Sequence, residues 1–151
     1  MDSNIRPLKL MGYIKMVKLK NARAKEGGIA VSKKLTNRKK ELSNIRKILD
    51  RVKKGETVFI VAEHKNETKN EIIGFYSIEK SEKKSRPHVA TLGILIKKEF
   101  RNKGVGKQLT SYALRDAIEK IKGLEIIELM THSKNMPAIS LFKKMGFKEV
   151  A

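Results

Sequence analysis

Apolar residues recur along this chain with two different periods, and the switches between them mark out its elements. Residues 5–10 predict a short strand leading into a helix that ends near residue 24, where Glu26-Gly27-Gly28 breaks the pattern. Leu42, Ile45, Leu49 and Val52 follow at spacings of three, four and three, one helix face, with Gly55 as its stop. Residues 57–63 and 71–79 are β-branched and apolar on either side of a polar tip at 64–70, the pattern of a hairpin. A polar loop at 80–87 leads into another strand, 88–97, whose core Thr91-Leu92-Gly93-Ile94-Leu95-Ile96 is apolar on both faces. Such a run belongs in the middle of a sheet, and Gly93 within it implies a bulge or a close backbone approach.

Beyond that strand, Leu109, Ala113, Ala117 and Ile121 trace a helix stripe, and residues 125–131 read as one more strand. A short helix at 137–145 has proline in its first turn and Gly146 at its end. The order predicts an α/β fold of the layered α+β kind: one domain over residues 1–151, helices flanking a mixed, mostly antiparallel sheet.

Composition narrows the classes. A hydrophobic fraction of 40% in 151 residues suits a globular core. No apolar run approaches the roughly 18 residues of a membrane span, and the first residues lack a secretory core, so a cytoplasmic protein without membrane contact is expected. The absence of cysteine excludes disulfides, thiolate metal sites and a cysteine nucleophile, and no metal is expected. The net charge of +19 attracts phosphate in any form. A solvated lysine-rich surface is the favoured reading of it, and with five Phe, three Tyr and no Trp, specific nucleic-acid reading is not favoured. The basic residues of the second helix, Arg38 to Lys54, fit a solvated face.

One stretch asks for a chemical explanation: Phe-Arg-Asn-Lys-Gly-Val-Gly-Lys-Gln-Leu, residues 100–109, between the central strand and the next helix. A glycine-rich turn at a helix start offers free N–H groups and the positive end of the helix dipole to an anion. Arg101, Lys103 and Lys107 would add mobile charge to that cradle. The P-loop pattern fails because Arg101 and Gln108 stand where Gly and Ser or Thr are needed, and the dinucleotide fingerprint fails at Leu109. A plain connecting turn stays equally open on the loop alone.

Gly93 through Lys107 resembles the acetyl-CoA motif of the GNAT N-acetyltransferases, in which Arg or Gln is followed by spaced glycines; Arg101, Gly104 and Gly106 fit it. A second block, Asn135 through Phe147, is similar to the family's later motif, and with Ile72-Ile73-Gly74 the resemblance covers roughly residues 57–149. It implies a GNAT fold and an acetyl-CoA-dependent N-acetyltransferase that passes acetyl directly to a primary amine through a tetrahedral intermediate. The cofactor would lie along Ile94, Leu95 and Ile96, its pyrophosphate on Arg101, Asn102, Lys103, Gly104, Val105, Gly106 and Lys107, with Asn135 and Phe142 bordering it. The oxyanion donor would be the N–H of Leu95.

Departures accompany the resemblance. Phe142 stands where many relatives have an acid-donating tyrosine, and Tyr76 or water would substitute. His88 stands near where many relatives have a glutamate base, with Glu79 as a further candidate. Residues 147–150 would form one edge strand, the family's last strand would be lacking, and an open sheet edge would favour a homodimer. The competing reading is a non-catalytic CoA-binding or nucleic-acid-associated basic module on the same fold.

Overall fold

The computed structural model describes residues 3–26 and 35–150; the expected break at Gly27 and Gly28 lies outside them. Strand β1 (Ser3–Pro7) and a 3-10 turn (Leu10–Gly12) lead into helix α1 (Tyr13–Glu26), and α2 (Arg38–Lys53) follows. The hairpin β2 (Thr57–Lys65) and β3 (Asn70–Lys80) precedes β4 (Val89–Ile96), a 3-10 turn (Lys98–Phe100), α3 (Val105–Lys120), β5 (Ile126–Glu128) and α4 (Met136–Lys144). The sheet order is β1-β2-β3-β4-β5, antiparallel except for the parallel pair β4–β5.

Strand alternation divides the core into two layers. Val58, Ile60, Tyr76, Ile78, Ala90 and Leu92 pack with Val105, Leu109, Ala113 and Ala117 of α3. Phe59, Val61 and Ile72 pack with Met16 and Leu19 of α1 and Ile45 of α2. A bulge lies between the pairs Ala62↔Gly74 and Glu63↔Ile72 and reverses the alternation, so Ile73 joins the α3 layer although Phe75, two residues on, faces the α1 layer. The bulge expected at Gly93 is therefore one strand away. Gly93 pairs regularly with Ser77, and what comes close to it is a side chain: a Cβ there would sit 3.0 Å from Ser77 Oγ.

The helix pair is held by a buried acid. Glu41 is 2% exposed and accepts from Lys20 Nζ at 2.7 Å, fastening α2 to α1, while the Asn37 side chain caps α2 at Lys40 N–H. Burying this carboxylate is tolerable because the ammonium comes with it.

Two expected strands are corrected. The strand expected over 125–131 is only three residues long, since β4 and β5 pair only from Val89↔Ile126 to Thr91↔Glu128 and then part. Residues 147–150 form no strand. There the chain closes α4 instead: Gly146 takes φ +95°, and Phe147 N–H returns to Phe142 O at 2.9 Å. At the outer edge beside β5, Ile126 and Met130 are exposed. Among the described residues no helix is long and apolar enough to cross a membrane.

Candidate functional site

The parting of β4 from β5 leaves a fork in the sheet, and the ladder shows which backbone groups face it. His88 O accepts from Glu125 and Ile126 N–H, whereas Val89 O accepts from Ser81 N–H and Lys97 N–H donates to Ile73 O. Even-numbered residues of β4 are thus turned toward β5, and odd-numbered ones toward β3. Past Thr91 the even side has no strand opposite it: the Thr91↔Glu128 bridge still takes the Leu92 N–H, and the peptide groups of Ile94 and Ile96 line the fork. Leu95, paired with Phe75, has its N–H turned to β3. That corrects the assignment of the oxyanion donor: alternation spends the Leu95 amide on the sheet and leaves the one before it free.

The open end of the fork runs into the glycine loop. Asn102 and Gly104 both take left-handed backbone, φ +61° and +84°. Gly104 caps α3 without a side-chain bond, and the first helical bond is Gln108 N–H to Gly104 O at 3.1 Å. The amides of Val105, Gly106 and Lys107 precede that bond and have no intrahelical acceptor. Left-handed residues curl successive amides into a concavity suited to an anion. Lys103, Gly104 and Lys107 are exposed there, and Lys103 Nζ stands 5.8 Å from the centre of the Phe100 ring.

The two glycines do different work. A Cβ on Gly104 would meet nothing within 4 Å, so only the backbone conformation demands glycine. A Cβ on Gly106 would come within 3.0 Å of Leu141 Cδ2 and 3.2 Å of Ile96 Cδ1, so its absence lets α3 press against α4 and β4. Gly106→Leu is expected to cost about 1–3 kcal/mol through overpacking, read as a lower denaturation midpoint at unchanged m-value. An unchanged midpoint would show that the contact relaxes freely.

Arg101 is not a mobile cation. Its Nε donates to Ile96 O at 2.9 Å, and Nη1 and Nη2 grip Glu26 Oε1 and Oε2 at 2.6 and 2.8 Å. That pair of hydrogen bonds holds the Glu26 carboxyl below the usual carboxylate range despite partial burial, with the Arg101, Arg23 and Lys98 charges assisting. The sequence offered no signal for Glu26, a lone acid before two glycines.

The remaining candidates are placed as follows. Asn135 caps α4, accepting from Ala138 N–H at 3.4 Å. Phe142 is buried in the α3 layer, edge-on to Phe147 at 5.5 Å. Tyr76 is wholly buried in the same layer, and its hydroxyl has no well-formed hydrogen bond. Burial pushes it up to about 12, Thr110 opposing only weakly, and the Thr110 hydroxyl itself donates to Gly106 O at 2.7 Å. Glu79, half-buried on β3, is 4.0 Å from Arg51.

His88 sits at the closed end of the fork, just before β4. At about 3.3 Å per strand residue it lies roughly 20 Å from Ile94. The structure does not bring it to the open backbone edge. His88→Ala is expected to keep both rate and pH profile, and loss of an alkaline limb would return His88 to the site.

A fork with an unpaired backbone edge, opening onto an amide-lined helix start, defines a protein built for an extended ligand with an anionic end. The Acetyltransferase (GNAT) family model matches residues 37–147. The chain belongs to that family. It is 32% identical over 81 residues to the L-amino acid N-acetyltransferase AaaT of Escherichia coli strain K12, covering 52% of this chain and 48% of that one. It is 31% identical over 108 residues to an N-alpha-acetyltransferase of Sulfurisphaera tokodaii, covering 68% and 63%. The matched part thus spans about half to two thirds of these relatives. Among solved structures, yncA of Salmonella typhimurium with its cofactor acetyl-CoA superposes with TM-score 0.82 at 16% identity, over 99% of this chain and 81% of that one. A GNAT-family acetyltransferase of Streptococcus pneumoniae gives TM-score 0.81 at 21% identity, over 96% and 83%.

Proposed function

We propose that this chain is an acetyl-CoA-dependent N-acetyltransferase acting on a primary amine. The observation that carries the reading is the fork: the free amides of Ile94 and Ile96 lead directly to the unbonded amides at the start of α3. That edge fits an arm bearing amide groups, and the loop fits its pyrophosphate. Acetyl-CoA would supply an acetyl thioester whose carbonyl carbon the amine attacks while the thiol leaves.

The chain's own part is positioning and charge stabilisation. Ile94 N–H faces the fork and is held by the sheet, so it can donate to a carbonyl oxygen gaining negative charge without reorganising first. Ile96 N–H stands two residues nearer the loop, where it can hold the arm in register. Ile96 O is already engaged by Arg101. The lysines beside Gly104 raise the local positive potential, which favours an anionic ligand. A proton donor to sulfur is not essential, because a thiol of pKa about 8.5 leaves readily as thiolate. Buried Phe142 cannot donate one, and Tyr76 holds its proton tightly inside the core.

A screen of amino acids, peptides and other amines with acetyl-CoA, read by thiol release, tests this directly. Release that depends on one amine class supports the reading and identifies the acceptor. CoA binding without release on any amine would make the chain a non-catalytic CoA-binding module, and no CoA binding would remove both.

A further inference from the structure

We propose that Glu26 is a positioning residue for the cofactor: by gripping Arg101 it aims the glycine loop, although it belongs to a different layer of the fold. The inference rests on the acetyl-CoA reading above. Its starting point is how the loop is anchored. Beyond Lys97, whose N–H still reaches Ile73 O at 2.7 Å, the backbone bonds before α3 are local, Phe100 N–H to Lys97 O at 2.9 Å and Arg101 N–H to Lys98 O at 3.3 Å. Such bonds shape a turn without fixing its place against the rest of the molecule. Past Lys97, whose Nζ donates to Glu71 Oε2 at 3.2 Å, two side chains do that. Phe100 lies against the His64 ring at 5.0 Å, an apolar contact with little directional demand. Arg101 supplies the directional one.

Its guanidinium joins three elements. Nε holds Ile96 O at the end of β4, where the free edge of the fork finishes, and the two Nη atoms hold both oxygens of Glu26 at the end of α1. The planar fork of arginine permits this combination and an ammonium does not. Glu26 is shielded, its side chain 16% exposed, and also accepts from Arg23 Nη1 at 3.0 Å. The pair forms part of the wall of a cleft of about 280 Å³ between α1 and the loop, with the Arg101 side chain 36% exposed. Asn102, the next residue, is the one non-glycine residue with left-handed backbone among those described.

The consequence is specific. With Arg101 locked, the amides that follow are presented in one orientation before any ligand arrives, and their ordering need not be drawn from binding energy. Without Glu26 the loop samples other orientations and the cofactor must select one. Affinity for the cofactor should fall while the chemical step, governed by the β4 edge, stays as it was.

Calorimetry with CoA on the wild-type chain comes first, since absence of binding there sinks the acetyl-CoA reading itself. Glu26→Gln keeps the shape and removes the charge and one acceptor. It is expected to weaken CoA about tenfold and raise KM for acetyl-CoA equally, with kcat within about twofold. Amide hydrogen exchange at residues 101–104 should quicken in the free protein. Arg101→Lys should reproduce the loss, and the double variant should be no worse than the weaker single one, because the two residues act as a unit. An unchanged CoA affinity in Glu26→Gln, even with lowered thermal stability, would make the pair purely structural and overturn the proposal. Tighter binding would overturn it too, showing that Glu26 withholds Arg101 from phosphate.

Discussion

Ile94→Pro is expected to lower kcat on the order of 100- to 1000-fold while the protein stays folded, the loss typical for one oxyanion-hole donor. Proline removes a single group, the backbone N–H, and fixes φ near that of an extended chain. In most central strands that change breaks the sheet. Here the N–H of Ile94 faces the fork, beyond the last β4–β5 pair at Thr91↔Glu128, so no ladder bond is lost. The residue before it, Gly93, is already in the extended strand that proline favours in its neighbour. The half-buried Ile94 side chain gives up some apolar contact, about 1 kcal/mol. Leu95→Pro is the matched control. Its N–H belongs to the β3–β4 ladder through the Phe75↔Leu95 pair, so the same substitution one residue on should unfold the domain. Circular dichroism and single-turnover kinetics separate the two. A folded Ile94→Pro variant with undiminished kcat would show that the oxyanion is stabilised elsewhere.

The second large effect is expected at Gly104. Gly104→Glu should weaken CoA roughly 100-fold, because a carboxylate placed at the mouth of the amide cradle repels phosphate at short range. Gly104 is exposed and a Cβ there meets nothing within 4 Å, so bulk is not the cause of the loss. The φ of +84° does impose strain, about 1–2 kcal/mol for any side chain, and a few degrees of melting temperature with it. Gly104→Ala carries that strain without the charge and should keep CoA affinity within a few-fold. If alanine and glutamate weaken CoA equally, loop geometry rather than charge governs the site. If neither does, the cradle is not where the phosphates bind. Gly106 would be a poor place for this test, since a side chain there strikes Leu141 and Ile96 before it could meet a ligand.

Much of this protein was legible in its sequence because the signals were local. Period and turn residues placed the helices and the hairpin within a few positions, since burial on one face needs only the right spacing. The glycine loop at a helix start was legible for the same reason: a positive φ and free amides are demands on a few consecutive residues. Family membership followed from two such blocks, and the match over residues 37–147 agrees with them.

What escaped the sequence was direction and pairing across the fold. Residues 125–131 carry enough apolar character for a strand, yet only Ile126–Glu128 pair, because pairing also requires β4 to stay alongside. Whether Ile94 or Leu95 offers its amide to the fork is a parity that nothing in their side chains encodes. It is set by which β3 residue each one faces.

By itself, then, the sequence determined the order of elements and the anion-ready loop, both of which rest on patterns among near neighbours. Tertiary structure decided that Arg101 is spent on Glu26, 75 residues away, that Gly106 is a packing glycine, and that His88 stands at the wrong end of its strand. Those outcomes depend on distances between segments far apart in the chain, and a local pattern carries no information about such distances until the layers have packed.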